Sequence, residues 1–297
     1  MSSQIGVIGA GKWGSAIKFA LSQKSRINIY SRTPRDIEDF VSLDEILNSK
    51  YLIISISTQA LRGWLKDNFE YRGQNILIAS KGIDTETGEF PSQILEKYVP
   101  KDSIAFLSGP TFAEEVSKSL PTALVINSLN LELANEFAQL FPNFIKVYKS
   151  QDVIGAEVAG AYKNILAIAS GISEGLKLGN NAKASLIARG LVEMARFGER
   201  FGGEVETFLG LSGAGDLFLT ANSSMSRNYR VGIKLTEGKN LDEILDELGE
   251  VAEGVKTVEA IMKIKEREEL YTPIADEVYK ILYKNSTPLE ALKNLLT

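Results

Sequence analysis

Gly9-Ala10-Gly11-Lys12-Trp13-Gly14 is the first run in the chain whose spacing could do chemistry. It directly follows a β-rich stretch, Gln4–Ile8, and opens a helical pattern. Glycines in that setting let the backbone turn tightly and approach a pyrophosphate, which then rests on the helix N-terminus. Gly9, Gly11, Lys12, Trp13 and Gly14 are therefore candidate dinucleotide contacts. A glycine turn in some other α/β domain is the plainer alternative. Beyond the second predicted strand, Arg26–Tyr30, the chain reads Ser31-Arg32-Thr33-Pro34-Arg35. An NAD site usually carries an Asp or Glu about 20 residues past the glycines. No carboxylate stands at this tip. Arg32 and Arg35 suit a ribose 2′-phosphate by charge and fork geometry. The expected cofactor is NADP, with NAD also open; a solvated arginine pair is the alternative.

The chain has no His and no Cys. Serine triads, HExxH zinc sites, thiolate nucleophiles and Cys-ligated zinc are all excluded, and no metal site is expected. Proton chemistry falls to Lys, Asp, Glu, Tyr or water. One segment draws attention, Gly155–Ser173, which reads GAEVAGAYKNILAIASGIS at helical spacing. Between Val158 and Ser173 its only charge is Lys163, beside Asn164. A lone Lys in an apolar helix usually reaches out to solvent. With no imidazole available, Lys163 is nonetheless the leading proton-transfer candidate. The same segment is dense in Gly and Ala. Each helical Gly costs about 1 kcal/mol relative to Ala, so close approach of another backbone or a ligand is expected to compensate.

Five more runs carry polar chemistry. Ser80-Lys81-Gly82 follows the predicted strand Asn75–Ala79, which puts Lys81 at a carboxyl end where ligands of open α/β sheets bind. Ser108-Gly109-Pro110-Thr111-Phe112 follows Ser103–Leu107, with a helix predicted from Thr111 whose free N–H groups could hold an anion or a carbonyl. Gly213-Ala214-Gly215-Asp216 places one carboxylate after a flexible turn. Ser226-Arg227-Asn228 could hold a phosphate through a charge-assisted fork, or could be an N-cap with a surface Arg. Val251-Ala252-Glu253-Gly254 completes the set.

These runs must be positioned by a larger frame. Short β-rich runs occur at Ile5–Ile8, Arg26–Tyr30, Tyr51–Ile56, Asn75–Ala79, Ser103–Leu107, Thr122–Ile126 and Ile145–Tyr148. Helical patterns lie between most of them, as at Trp13–Gln23, Gln59–Asp67 and Leu131–Phe141. Such alternation predicts an α/β, Rossmann-like N-terminal domain with a mostly parallel sheet. Leu52-Ile53-Ile54 and Ile76-Leu77-Ile78 are apolar on consecutive residues, as strands buried on both faces are. Helical patterns dominate from Asp152 to Leu296, with breaks near Gly179, Gly202-Gly203, Gly213 to Gly215 and Gly238. No Pro falls between Pro142 and Pro273. The expected division is a dinucleotide-binding domain, 1–150, and an all-α substrate-binding and catalytic domain, 151–297, with a cleft between them. The 297 residues suit two domains.

A net charge of −5 offers no basic footprint for nucleic acid. The longest uncharged run, Ser119 to Leu131, is 13 residues with Pro121 inside it, short of the roughly 20 a membrane span needs. No secretory pattern opens the chain. It reads as a cytoplasmic protein; a homodimer is one assembly open to it.

Taken in order, GAGKWG, SKG, SGPTFAEEV, the long block from Val153 to Gly190, TFLGLSGAGDL, SRNYRVG and VAEGVKT resemble bacterial-type NAD(P)-dependent glycerol-3-phosphate dehydrogenase across nearly the whole chain. The resemblance implies reversible hydride transfer between NAD(P)H and dihydroxyacetone phosphate, supplying glycerol 3-phosphate for phospholipid synthesis. It implies that Trp13, Arg32, Lys81, Ala113, Arg227, Val251 and Glu253 line the cofactor site. Lys81, Gly109, Thr111, Lys163, Asp216, Ser226, Arg227 and Asn228 would surround the substrate, with Lys163 catalytic. Three departures stand out: the short segment between Arg35 and Tyr51, Ile56-Ser57-Thr58 in place of Val-Pro-Ser, and Ala214 in place of Leu. Two rivals are a 3-hydroxyacid dehydrogenase of the 6-phosphogluconate type and a non-catalytic nucleotide sensor. The first usually has Lys and Asn four apart on one helix face; here they are adjacent, about 100° apart around the helix.

Overall fold

The structure is a computed structural model that describes residues 4–249 and 252–296. Its first part is a seven-stranded sheet: β1 (Ile5–Ile8), β2 (Ile27–Tyr30), β3 (Tyr51–Ile54), β4 (Asn75–Ile78), β5 (Ile104–Ser108), β6 (Thr122–Asn127) and β7 (Ile145–Ser150). The order is β2-β1-β3-β4-β5-β6-β7, parallel except for the antiparallel β5–β6 pair. The chain leaves β1 for β2 on one side and returns to β3 on the other. This reversal makes the carboxyl end of β1 the crevice where open α/β sheets bind ligands.

The helices of this part are α1 (Lys12–Ser22), α2 (Leu43–Leu47), α3 (Thr58–Asn68), α4 (Pro91–Leu95), α5 (Ala113–Val116) and α6 (Leu131–Leu140). Side chains of a strand alternate between faces, and the core divides accordingly. Val7, Ile53, Leu77 and Leu107 pack with Ile17 and Leu21 of α1 and Phe137 of α6. Ile8, Ile54, Ile78 and Phe106 pack with Leu61 and Leu65 of α3 and Ile94 of α4. Both faces are covered, which is why these strands are apolar without interruption. The short segment after Arg35 holds no long helix. Phe40 instead pairs with Ile29 of β2, and Arg26 holds Asp39 at 2.6 Å.

The second part is helical: α7 (Val153–Gly175), α8 (Gly179–Glu199), α9 (Val205–Leu209), α10 (Asp216–Ala221), α11 (Arg227–Leu235), α12 (Leu241–Leu248), α13 (Glu253–Glu268), α14 (Pro273–Tyr283) and α15 (Pro288–Leu296). Near Gly213 the expected break is instead a wide turn. Gly215 N–H donates to Gly210 O at 3.0 Å, and a Cβ on Gly213 would lie 2.1 Å from Phe208 O. The winding loosens to π geometry and leads straight into α10.

Two compact units result. One holds the described residues up to Lys81 with Phe90–Glu157, and so includes the opening turns of α7. The other holds Gly82–Glu89 with the described residues from Val158 onward. The eight-residue excursion is a tight loop around Asp84, whose Oδ1 accepts from Glu86 N–H and Thr87 N–H, both at 2.9 Å. It rests on α13, where Lys263 Nζ donates to Thr85 O at 2.7 Å. Among the described residues no helix is long and apolar enough to cross a membrane.

Candidate active site

At the carboxyl end of β1 the glycines are required by space. Gly9 has φ +107°, and a Cβ there would lie 2.4 Å from Ser55 O. One on Gly14 would lie 1.8 Å from Gly9 O. Gly11, by contrast, has nothing within 4 Å of its would-be Cβ. It is the N-cap of α1, with no side-chain cap and no acidic residue in the first turn. Orphan N–H groups and the positive end of the helix dipole thus face open space, which fits a pyrophosphate. Gly9 N–H donates to Tyr30 O at 2.8 Å, tying the turn to the end of β2. Trp13 Nε1 donates to Ala79 O at 2.9 Å, tying it to the end of β4. Lys12, Arg32 and Arg35 are exposed.

Lys81 and Gly109 meet beside this turn. Lys81 Nζ donates to Gly109 O at 3.3 Å, bridging the ends of β4 and β5. Gly109 has φ +107°, where a side chain would be strained, and a Cβ there would lie 3.1 Å from Ala123 O. The helix expected from Thr111 begins instead at Ala113, with Phe112 as its N-cap. It is four residues long and carries Glu114 and Glu115 in its first turn. That turn repels an anion. What the loop offers a ligand is the half-buried Thr111 and the main chain of Gly109.

In the helical unit, α7 is buried on all sides from Gly155 to Ser173. Lys163 does not reach solvent; it is 8% exposed. Its Nζ donates to Asp216 Oδ1 at 2.9 Å and to Thr220 Oγ1 at 2.7 Å. Thr220 Oγ1 also donates to Asp216 Oδ1 at 3.2 Å. Asp216 is fully buried at the start of α10, delivered there by the wide turn. A buried ammonium is tolerable only when paired and hydrogen-bonded. Thr220 escaped the sequence reading, although it stands one helical turn after Asp216 on the same face.

The Ser226-Arg227-Asn228 run divides its tasks. Ser226 is the N-cap of α11, its Oγ accepting from Tyr229 N–H at 3.2 Å. Arg227 is exposed at the first helical position. Asn228 is buried and bridges three elements. Its Nδ2 donates to Asn164 Oδ1 at 2.9 Å, and its Oδ1 accepts from Gly254 N–H at 3.0 Å. The side chain expected to contact phosphate therefore joins α7, one residue from Lys163, to the start of α13. Glu253, the first residue of α13, is half-buried. Val251 lies outside the described residues.

Two further carboxylates are buried, Glu157 on α7 and Glu193 on α8. Glu157 accepts from Ser92 N–H at 2.7 Å and Ser92 Oγ at 2.5 Å. Burial wins over those donors and pushes its carboxyl up to about 8. Glu193 accepts from Tyr162 Oη and from the N–H groups of Ile274 and Ala275, capping α14. Burial raises it as well. Both hold helices in place.

The comparisons agree along the chain. The family model described as NAD-dependent glycerol-3-phosphate dehydrogenase N-terminus matches residues 33–134, and the C-terminus model matches 152–293. Glycerol-3-phosphate dehydrogenase [NAD(P)+] of Sulfurimonas denitrificans is 59% identical over 295 residues, 99% of each chain. That of Campylobacter jejuni strain RM1221 is 58% identical over 293 residues, 99% of this chain and 98% of the other. The crystal structure of glycerol-3-phosphate dehydrogenase from Coxiella burnetii superposes with a TM-score of 0.91 at 31% identity, covering 98% of both chains.

Proposed function

Because the chain belongs to the NAD-dependent glycerol-3-phosphate dehydrogenase family, we propose that Lys163 moves the proton in a reversible reduction of dihydroxyacetone phosphate to sn-glycerol 3-phosphate. The protein is an NAD(P)-dependent oxidoreductase. The product feeds phospholipid synthesis. The nicotinamide, when bound, supplies or accepts the hydride. Lys163, as ammonium, hydrogen-bonds the ketone oxygen where negative charge develops and gives it a proton. In the other direction neutral Nζ takes the proton of the alcohol. Asp216 and Thr220 hold Nζ at one position and balance its charge.

In the sheet unit, Gly9, Gly11, Lys12, Trp13 and Gly14 hold the pyrophosphate, and Arg32 and Arg35 take the 2′-phosphate of NADP. Ala113, Val251 and Glu253 complete the cofactor site. Arg227 serves both ligands, meeting the substrate phosphate at the first turn of α11. Lys81, Gly109, Thr111, Asp216, Ser226 and Asn228 are the other substrate contacts. A cytoplasmic location is part of this reading, since triose phosphates and reduced nicotinamides are intracellular metabolites. So is a homodimer, supported by the exposed Leu209 and Phe218 of the helical unit.

The observation that carries the reading is Lys163 buried against Asp216 and Thr220 in a chain without His or Cys. The test is oxidation of NADPH on addition of dihydroxyacetone phosphate. Turnover supports it. Turnover only with 3-hydroxy or 3-keto acids, or binding of NADPH without turnover, overturns it.

A further inference from the structure

We infer that Ser31 holds the ribose 2′-hydroxyl when the cofactor is NAD(H), so the tip of β2 serves the two cofactors with different groups. The inference rests on the cofactor site proposed at the Gly9–Gly14 turn. Its first support is position. Gly9 N–H is bonded to Tyr30 O at 2.8 Å, and Ser31 is the next residue along, half-buried.

Its second support is the direction of a proton. Ser31 Oγ donates to Thr33 O at 2.6 Å. A hydroxyl has one proton to give and two lone pairs. With that proton committed, Ser31 offers a ligand only acceptance. A ribose 2′-hydroxyl donates, so it complements Ser31. A 2′-phosphate brings only acceptor oxygens and does not.

Its third support is what surrounds it. The side chains of Arg32 and Arg35 are exposed and make no hydrogen bond or ion pair with the described residues. They present donors only, as a 2′-phosphate requires. Asp39, the acid tied back toward β2, is held by Arg26. The residue directly after Tyr30 is thus an uncharged acceptor for the hydroxyl, not a carboxylate. A strict NAD site uses an acid for this purpose; a serine with a committed proton performs it without excluding NADP.

Calorimetric titration with NADH and with NADPH tests this without turnover. Ser31→Ala should weaken NADH by roughly threefold to tenfold, the equivalent of one neutral hydrogen bond. It should change NADPH by less than about twofold. Arg32→Ala should do the reverse, weakening NADPH. Ser31→Asp should retain NADH and weaken NADPH at least about tenfold through like-charge repulsion. If Ser31→Ala weakens NADPH as much as NADH, or neither, the inference is overturned. Ser31→Asp then separates the causes. NADPH lost on Ser31→Asp alone leaves the cofactor site standing, whereas NADPH unmoved by Ser31→Asp removes that site as well.

Discussion

Gly171 and Gly232 touch backbone to backbone where α7 crosses α11. A Cβ on Gly232 would lie 2.9 Å from Gly171 Cα and 2.1 Å from Ile168 O. One on Gly171 would lie 3.0 Å from Gly232 Cα and 2.1 Å from Tyr229 O. The crossing brings the start of α11 to α7, where Asn228 can reach Asn164. In an open helix Gly→Ala gains roughly 0.5–1 kcal/mol. Here overpacking opposes it with about 1–3 kcal/mol, and the clash with a carbonyl decides the sign. Gly232→Ala should lower the denaturation midpoint and raise KM for dihydroxyacetone phosphate. A stabilised variant with unchanged KM would show that the crossing has room.

Lys163→Ala should bind NADPH nearly as the parent does yet lose at least about 10²-fold in kcat, the low end for acid–base catalysis. Thr220→Val keeps the shape and removes one of the bonds holding Nζ. Its kcat should fall less, roughly tenfold, in line with a hydrogen bond to a charged group. Rates at saturating NADPH, with calorimetric binding beside them, check both. Near-normal turnover of Lys163→Ala would remove the catalytic assignment.

Arg227→Ala bears on the phosphate. Charge-assisted bonds contribute roughly 1.5–3 kcal/mol, or about ten- to a hundredfold in kcat/KM. The ratio of kcat/KM for dihydroxyacetone phosphate over dihydroxyacetone should drop by that factor. An unchanged ratio would move the phosphate to Lys81.

Glu157 makes stability depend on pH. An ordinary glutamate titrates near 4.5, and burial raises Glu157 to about 8. Between those values the folded chain keeps a proton that the unfolded chain has lost. Stability therefore falls as pH rises from about 4.5 to about 8 and levels off above. Glu157→Gln keeps partners for both Ser92 groups and carries no charge. It should match the parent near pH 4.5 and exceed it at pH 8, by roughly 2–4 kcal/mol. Thermal melts across that range decide; parallel profiles would mean the carboxyl is ionised throughout.

The sheet was legible because burial leaves a simple trace. Leu52-Ile53-Ile54 and Ile76-Leu77-Ile78 are apolar on both faces, and both faces are covered. Gly9 and Gly14 of the first turn were legible because no side chain fits at either position. Lys163 stood out as a lone charge. Its partner Thr220 did not, since a Thr one turn beyond an Asp is common on any helix. The partners of Asn228 were hidden for another reason: Asn164 and Gly254 are brought to it by helix packing, which spacing along the chain does not show. Thr111 misled as a helix start because the chain stays extended through Phe112 before winding. The excursion at Gly82–Glu89 left no trace, because its destination is set by a lysine far down the chain.

That excursion bears on how the protein is made. Thr85 leaves the ribosome 178 residues before Lys263, its hydrogen-bond partner. At about 5–20 residues per second, the gap lasts roughly ten to forty seconds. Throughout that time the loop around Asp84 has no α13 to rest on, while β1 to β4, already complete, can pair. The helical unit cannot close in the order of its synthesis: a piece from its first half waits for the last third of the chain. A protein begun at Val158 would lack those eight residues, and Ile264 would lose the cover of Gly88. Supplying Gly82–Glu89 on a separate peptide is thus a way to ask whether the helices need it to settle.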